Sequence, residues 1–578
     1  MRHHNRMRLE SFSRGLVIFS SALTTLIFVL ILGLLIGGAV SRRPPKIGER
    51  TVLTFEPVGT LVDSYSRPSE YQGIPLGPPA NEILLDEMIQ ALDAASLDER
   101  VLGAYFNLDS FWGGGAGAIG ELAEAMLRFR EGGKPLIVDA DSYDTAAYRL
   151  AAAGSHVVVD RLGQVFPTGY GSWRTYLAEG LEKLGAEANL FRTGPSKSAG
   201  ETYVRDSMSQ EAQADSRRLL TDLWEDWLQG VAASRGVDEN VLSEWINEYD
   251  RYLVEARGDG SASALKAGLV DAVETGGVTQ SLLDETFGDS KGVDWQEYLR
   301  TVKSPSWKLP TVAVVKVSGA LVYGPGSTGN AGSDDVVEAL QAVADDPMVR
   351  ALVLRIDSPG GDVRAGEAIR RSLEELRESQ GLPVVASMGS LAASGGYWIA
   401  LESDYILARR ETITGSIGVF SLSLTFEKAL REWLGMRIDG LGTTPWSGAS
   451  HPGRSLDARM ASLYESSVQD IDSMFRSLVA QKRGLDDEAV LAAAGGVPWS
   501  GKRALDLGLV DELGGLEAAR EKAAELAGLS QWRTADYQGM EDQRAQMISR
   551  MFWGNIDASG SHQNSWNWIS LLLGWWRK

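Results

Sequence analysis

The sequence predicts an α/β protein of two tandem domains, each with a largely parallel sheet, behind a single N-terminal transmembrane helix. Three observations predict it. One uncharged run near the start is long enough to cross a bilayer. The rest of the chain repeats itself at a nearly constant offset. Within each repeat, short aliphatic runs alternate with helix-length stretches. A chain of 578 residues exceeds one ordinary core and suits two domains or more.

The uncharged run is Gly15–Val40, 26 residues. At about 1.5 Å per residue it covers a hydrocarbon core of about 30 Å. A cleaved secretion signal has an apolar core of only about 7–15 residues, so a retained anchor is the better reading, and residues 1–45 form tail and anchor. Arg2, Arg6, Arg8 and Arg14 precede the run, and Arg42, Arg43, Lys46 and Arg50 follow it. The positive-inside bias nearly cancels and assigns no orientation. A formal charge of −21 argues against nucleic acid as a partner. The absence of cysteine excludes disulfides and thiolate metal sites.

The repeat is legible without gaps over ALDAASLDERVLGAYFNLDSFWGGG from Ala91 and ALQAVADDPMVRALVLRIDSPGGDV from Ala339, an offset of 248. KPLIVDADSYDTAAYRLAAAGSHVVVD corresponds to LPVVASMGSLAASGGYWIALESDYILA, and SALKAGLVDAVETGG from Ser263 to RALDLGLVDELGG from Arg503. Runs such as TVAVVKVSG, ALVLRI and PVVASM are too apolar to alternate, as expected of strands covered on both faces. The repeats are placed at 46–290 and 291–535. Polar helical stretches such as EAQADSRRLLTDLWEDWLQGVAASRG are expected between domains or subunits. The tail 536–578 ends in WNWISLLLGWWRK, too short to span a bilayer. An interfacial or oligomer contact, core packing and a disordered end all remain open for it.

Ser394, in AASGGYW, follows an apolar run and precedes a helix-like stretch. A serine at a strand-to-helix turn stands in the open, and the first helix amides lack intrahelical partners. The Gly395 amide is then a candidate oxyanion donor. Small residues around a serine also occur where helices simply pack closely. DSPGG, Asp357–Gly361, ends the run ALVLRI at the strand end where parallel sheets place ligand sites. An amide of Gly360 or Gly361 would complete an oxyanion hole, although such a turn also serves as a plain β-to-α connection.

Histidine is a poor activator here. His3 and His4 precede the anchor, and His156 in GSHVVVD reads as a strand start. His451, in a turn rich in glycine, serine and proline, is the one rival. No GxSxG nucleophile elbow, HExxH metal pair or GxxxxGK[ST] phosphate loop is found. The repeat offers a lysine instead. Aligned through Tyr148 and Tyr397, Ser394 corresponds to Thr145. Lys197, in GPSKSAG, lies 52 residues beyond Thr145, and the same step beyond Ser394 reaches Trp446 beside Ser447. One copy carries the lysine and the other the serine, as if a dyad were divided between them. A solvated loop lysine is the plainer alternative. A lysine base must be neutral, so the reading expects Lys197 enclosed and about 3 Å from Ser394 Oγ. Ser416, in ITGSIGVF, is the candidate to orient the amine.

These motifs together, FRTGPSKSAGETYVRDSMS, RIDSPGGDV, MGSLAASGGYWIA, TGSIGVF and RALDLGLVDELGG, resemble the long, duplicated form of the signal peptide peptidase A family, bacterial membrane-bound Ser/Lys peptidases. The resemblance covers nearly the whole chain after the anchor and implies two ClpP/crotonase-like domains. It implies Ser394 as nucleophile, Lys197 as general base, Ser416 bonded to the lysine, and Gly361 and Gly395 as oxyanion donors, with no metal or nucleotide cofactor. It further implies cleavage of signal-peptide remnants and other extended apolar peptides, an anchor in the bacterial inner membrane's lipid bilayer, a periplasmic catalytic body and a homotetramer. Two departures stand out: Ser390-Leu391 replaces an acidic-amide pair, which bears on substrate contacts, and the Trp-rich tail is extra. A crotonase-like acyl-CoA hydrolase or isomerase and a non-catalytic membrane scaffold remain as alternatives.

Overall fold

The computed structural model describes residues 47–66, 81–278, 280–302, 306–327 and 329–538. The predicted anchor and nearly all of the Trp-rich tail lie outside these residues. Among the described residues, no helix is long and apolar enough to cross a membrane.

Two parallel sheets organise the chain into two large units. In the first, the order is Lys291–Asp294, Thr51–Phe55, Val101–Asn107, Leu136–Ala140, His156–Asp160, Ala272–Glu274. The second repeats this order with Arg533–Tyr537, Thr311–Ser318, Val349–Ser358, Val384–Ala393, Tyr405–Ala408 and Glu512–Leu513. The strand Val384–Ala393 also forks. Its end pairs with Ile413–Gly415, which runs antiparallel to Pro498–Ser500. Leu136, Ile137, Val138 and Val312 to Val315 are all buried. Helices cover both faces of each sheet, which is why these strands read as continuous apolar runs.

The boundary expected at 290/291 falls just before the last strand of the first sheet. Lys291–Asp294 pairs in parallel with Thr51–Phe55. The helix Trp295–Leu299 then buries Trp295 and Tyr298 in the first core, with Trp295 stacked on Phe55. Likewise, residue 535 lies inside the strand Arg533–Tyr537, which pairs with Thr311–Ser318.

The two units are joined by buried ion pairs. Arg355 is fully enclosed and donates to Asp63 Oδ1 at 2.8 Å, Glu121 Oε2 at 2.9 Å and Ser387 Oγ at 3.0 Å. The polar helix Gln210–Arg235, capped by Ser209 and ended by left-handed Gly236, packs between the units as expected, with Asp222 accepting from Arg503 and Ser500. A second joint is a clasp: Glu187–Arg192 of the first unit pairs antiparallel with Phe420–Thr425 of the second, Arg192 facing Phe420. The clasp carries the lysine loop across.

Candidate active site

Ser394 stands where Val384–Ala393 ends and the short helix Gly395–Ala400 begins. Its φ of 54° and ψ of −118° are uncommon for a side-chain-bearing residue, a strain that clusters at functional sites. The backbone holds it on both sides: Ser394 N donates to Gly415 O at 2.8 Å, and Trp398 N to Ser394 O at 2.9 Å. Ser416, on the neighbouring strand end, also has a positive φ, 51°.

Lys197 arrives from the other unit. After the clasp strand, Thr193 N donates to Val419 O at 2.9 Å, and the loop Gly194–Ser198 then lies on the second unit. Backbone meets backbone there: a Cβ on Gly194 would lie 2.4 Å from Gly495 O, and one on Gly496 2.5 Å from Lys197 N. Lys197 is 4% exposed. Its Nζ lies 3.1 Å from Ser394 Oγ, 3.1 Å from Ser416 Oγ and 2.8 Å from Ser416 O. A neutral amine has two N–H donors and one lone pair. Ser416 supplies an acceptor for each donor, which leaves the lone pair for the serine proton. Burial pushes the amine down to about 8, against the opposing pull of the Asp472 charge. Asp472 is occupied nearby by the Thr193 hydroxyl at 2.9 Å and by Arg476.

Opposite the serine is the turn Ser358–Gly361. Gly360 has φ 89°, and a Cβ there would lie 2.5 Å from Gly395 N and 2.9 Å from Ser394 Cβ, so only glycine fits. Leu321 N donates to Gly360 O, and Asp362 N to Leu321 O, both at 2.9 Å, which fixes the turn. The three glycines expected as oxyanion donors are not equivalent. The Gly360 amide is engaged by Ser358 Oγ at 3.2 Å. The amides of Gly361 and Gly395 have no protein acceptor among the described residues, and a Cβ on Gly395 would lie 3.3 Å from Gly361 N.

The structure thus brings together Ser394, Lys197, Ser416, Gly361 and Gly395. It does not bring His451, which lies in an exposed loop with its Nδ1 accepting from Gly453 N at 2.9 Å. Among the described residues the first unit shows no matching site. Thr145 begins the helix Thr145–Ala151 and its Oγ1 accepts from Gly169 N at 3.1 Å, while Trp446 and Ser447 lie in an exposed loop. Sequence reasoning missed Asp472 and the Gly495–Gly496 seat under Lys197. The doubled glycine in AAAGGVPW was the only hint of that seat.

A family model described as peptidase family S49 matches residues 128–285 and 376–530, one stretch in each unit. The chain belongs to peptidase family S49. It is 33% identical to Protease 4 of Salmonella typhi over 480 residues, 82% of this chain and 77% of that protein. Protease 4 of Haemophilus influenzae is also 33% identical, over 77% of this chain and 73% of its own length. A chloroplastic serine protease SPPA of Arabidopsis thaliana is 29% identical over 77% and 66% respectively. This S49 protein is therefore a serine peptidase acting on peptide substrates, which decides among the three classes left open by the sequence.

Proposed function

We propose that Ser394 is the nucleophile, Lys197 its general base, Ser416 the residue that orients the amine, and Gly361 and Gly395 the oxyanion donors. The observation that carries this is a buried amine, depressed by burial, 3.1 Å from a strained serine hydroxyl. Neutral Lys197 takes the Ser394 proton as Oγ attacks a peptide carbonyl. The amides hold the oxyanion, and the lysinium then protonates the leaving amine. Water, deprotonated by the same lysine, finally releases the acyl group from Ser394.

The substrates we propose are extended apolar peptides, signal-peptide remnants among them, met at a bacterial inner membrane by a chain anchored through Gly15–Val40 with its body in the periplasm. The uncharged run supports the anchor, and apolar remnants are the peptides such a membrane accumulates.

A homotetramer completes the proposal, and an unused half-clasp supports it. Helix Ala178–Lys183 leads through left-handed Gly185 into Glu187–Arg192; helix Glu427–Trp433 leads through left-handed Gly435 into Met436–Leu441. Among the described residues the second stretch pairs with no strand, and Leu441 is wholly exposed. The counterpart of Phe420–Thr425 is the stretch near Gly171–Tyr176, which also pairs with no strand among the described residues, with Trp173 98% exposed. Met436–Leu441 of one protomer laid on Gly171–Tyr176 of the next repeats the intrachain clasp head to tail, the kind of contact that forms a ring when its rotation closes.

The test of the chemistry is a fluorophosphonate probe. Labelling is expected on Ser394, abolished by Ser394→Ala and greatly slowed by Lys197→Ala. Labelling that survives Lys197→Ala and disappears with His451→Ala would reverse the assignment of the base.

A further inference from the structure

The ladder between Val349–Ser358 and Val384–Ala393 is irregular just ahead of the nucleophile. Ile356 faces Met388, but Ser358 faces Ala392, so two steps on one strand answer four on the other. The surplus residues fall in Gly389–Leu391. Were they paired regularly in the ladder instead, Ser358 would face Ser390 and Ser394 would sit two residues further along relative to the turn Ser358–Gly361. At about 3.3 Å per residue that is a displacement of about 7 Å, enough to separate the serine from the Gly361 amide. The bulge therefore sets the register between nucleophile and turn.

Three contacts hold it. Asp357, the residue facing the bulge, accepts the Leu391 amide on Oδ1 at 2.9 Å and is also bonded by the Ser390 amide. Thr412 Oγ1 donates to Gly389 O at 2.6 Å. Ser390 Oγ accepts the Ala118 amide of the first unit at 3.0 Å. Ala118 lies in the first turn of the helix Ala116–Glu131, whose own N-cap, Gly115, has no side chain to offer. The fit is close: a Cβ on Gly115 would lie 2.2 Å from Ser390 Oγ, and one on Gly117 3.0 Å from Ser390 Cα. Ser390, one of the two departures in the sequence, therefore has its hydroxyl engaged by the first unit. The same first-unit helix supplies Glu121 to Arg355, two residues before Asp357.

We infer that Asp357 is a positioning residue for the peptidase reaction and that, through the bulge it shares with Ser390, docking of the first unit sets the alignment of Ser394 with the Gly361 and Gly395 amides. The inference rests on the proposed roles of those residues. Its logic is that Asp357 replaces the ladder acceptor lost at the bulge, so what matters is the acceptor oxygen at that place. Asparagine keeps that oxygen; alanine does not.

The experiment uses the full chain in detergent micelles. Fluorophosphonate labelling of the wild type, mapped to Ser394 and lost in Ser394→Ala, tests the underlying reading by itself. Then Asp357→Ala, Asp357→Asn, Ser390→Ala and the double variant Asp357→Ala/Ser390→Ala are compared for labelling rate, for kcat and KM on an apolar peptide, and for unfolding midpoint. Asp357→Ala is expected to lower kcat and labelling about a hundredfold, the usual consequence of a displacement of about 1 Å at a reacting group, with KM changed less than about threefold. Asp357→Asn is expected to recover most of the loss. Ser390→Ala is expected to lower kcat about tenfold, and the double variant to fall by less than the product of the single effects, because both act on one bulge. Wild-type kcat in folded Asp357→Ala, or Asp357→Asn as damaged as Asp357→Ala, overturns the positioning role. If Asp357→Ala does not fold, Asp357→Asn and Ser390→Ala still decide: wild-type kcat in Ser390→Ala overturns the coupling to the first unit.

Discussion

The enclosed lysine makes a prediction that links activity to stability with opposite signs. Lys197 is nearly free of solvent, and burial brings its amine from 10.5 to about 8. At pH 7 an amine titrating at about 8 is neutral in roughly one molecule in ten, against about one in three thousand at 10.5, a gain of about 300-fold in usable base. The shift corresponds to about 3 kcal/mol. Because the folded value lies below the unfolded one, the charged amine disfavours the fold. That penalty is complete below pH 8 and fades as pH rises to 10.5. Lys197→Met keeps the length of the side chain and removes the charge. It forfeits hydrogen bonds to Ser416 worth about 1 kcal/mol, so a net stabilisation of about 2 kcal/mol at pH 7 is expected, with no catalysis. Denaturant unfolding of both proteins at pH 7 and pH 10 measures it: the advantage of the variant should shrink or reverse at pH 10. In parallel, the wild-type labelling rate should rise about tenfold per pH unit up to about pH 8 and then level. A wild type more stable than Lys197→Met at pH 7, or a labelling limb that ends below pH 7, refutes the reasoning.

Ser416→Ala leaves the carbonyl acceptor and removes the hydroxyl 3.1 Å from the amine; kcat is expected to fall about tenfold at unchanged KM, read from steady-state peptide cleavage. Gly360→Ala drives a methyl to 2.5 Å from the Gly395 nitrogen, so labelling should be lost while circular dichroism remains that of a folded protein. Arg355→Met strands the carboxylates of Asp63 and Glu121 inside the joint; a loss of about 3–5 kcal/mol is expected in denaturant unfolding at pH 7. Leu441→Asp places a charge in the stretch Met436–Leu441; if the proposed tetramer forms through it, sedimentation velocity should show the variant as protomers that keep their helix content.

Much of this was legible because the repeat acts as an internal comparison. Lys197 without a serine in one copy, and Ser394 without a lysine in the other, pointed to a shared site. The strands were legible because Leu136–Ala140 and Thr311–Ser318 are buried on both faces. The edge strand Lys291–Asp294 was not, since KGVD is polar and its partner lies about 240 residues earlier. The clasp was hidden for a similar reason: Glu187–Arg192 is half-exposed, and its pairing with Phe420–Thr425 is set by packing rather than by pattern. The bulge at Gly389–Leu391 sits inside a run that reads as one strand. The difference between the Gly360 and Gly361 amides depends on where the Ser358 hydroxyl points, which no spacing discloses.

The clasp has a consequence for the life of the polypeptide. A ribosome delivers the amine-bearing part first and the hydroxyl-bearing part last, and under the proposed chemistry neither works without the other. Should the clasp open, water regains the amine and restores its proton, and the proposed activation of the serine is lost. On that proposal a nascent, nicked or half-unfolded copy is harmless to its neighbours, and cleavage is confined to chains whose two parts have found each other.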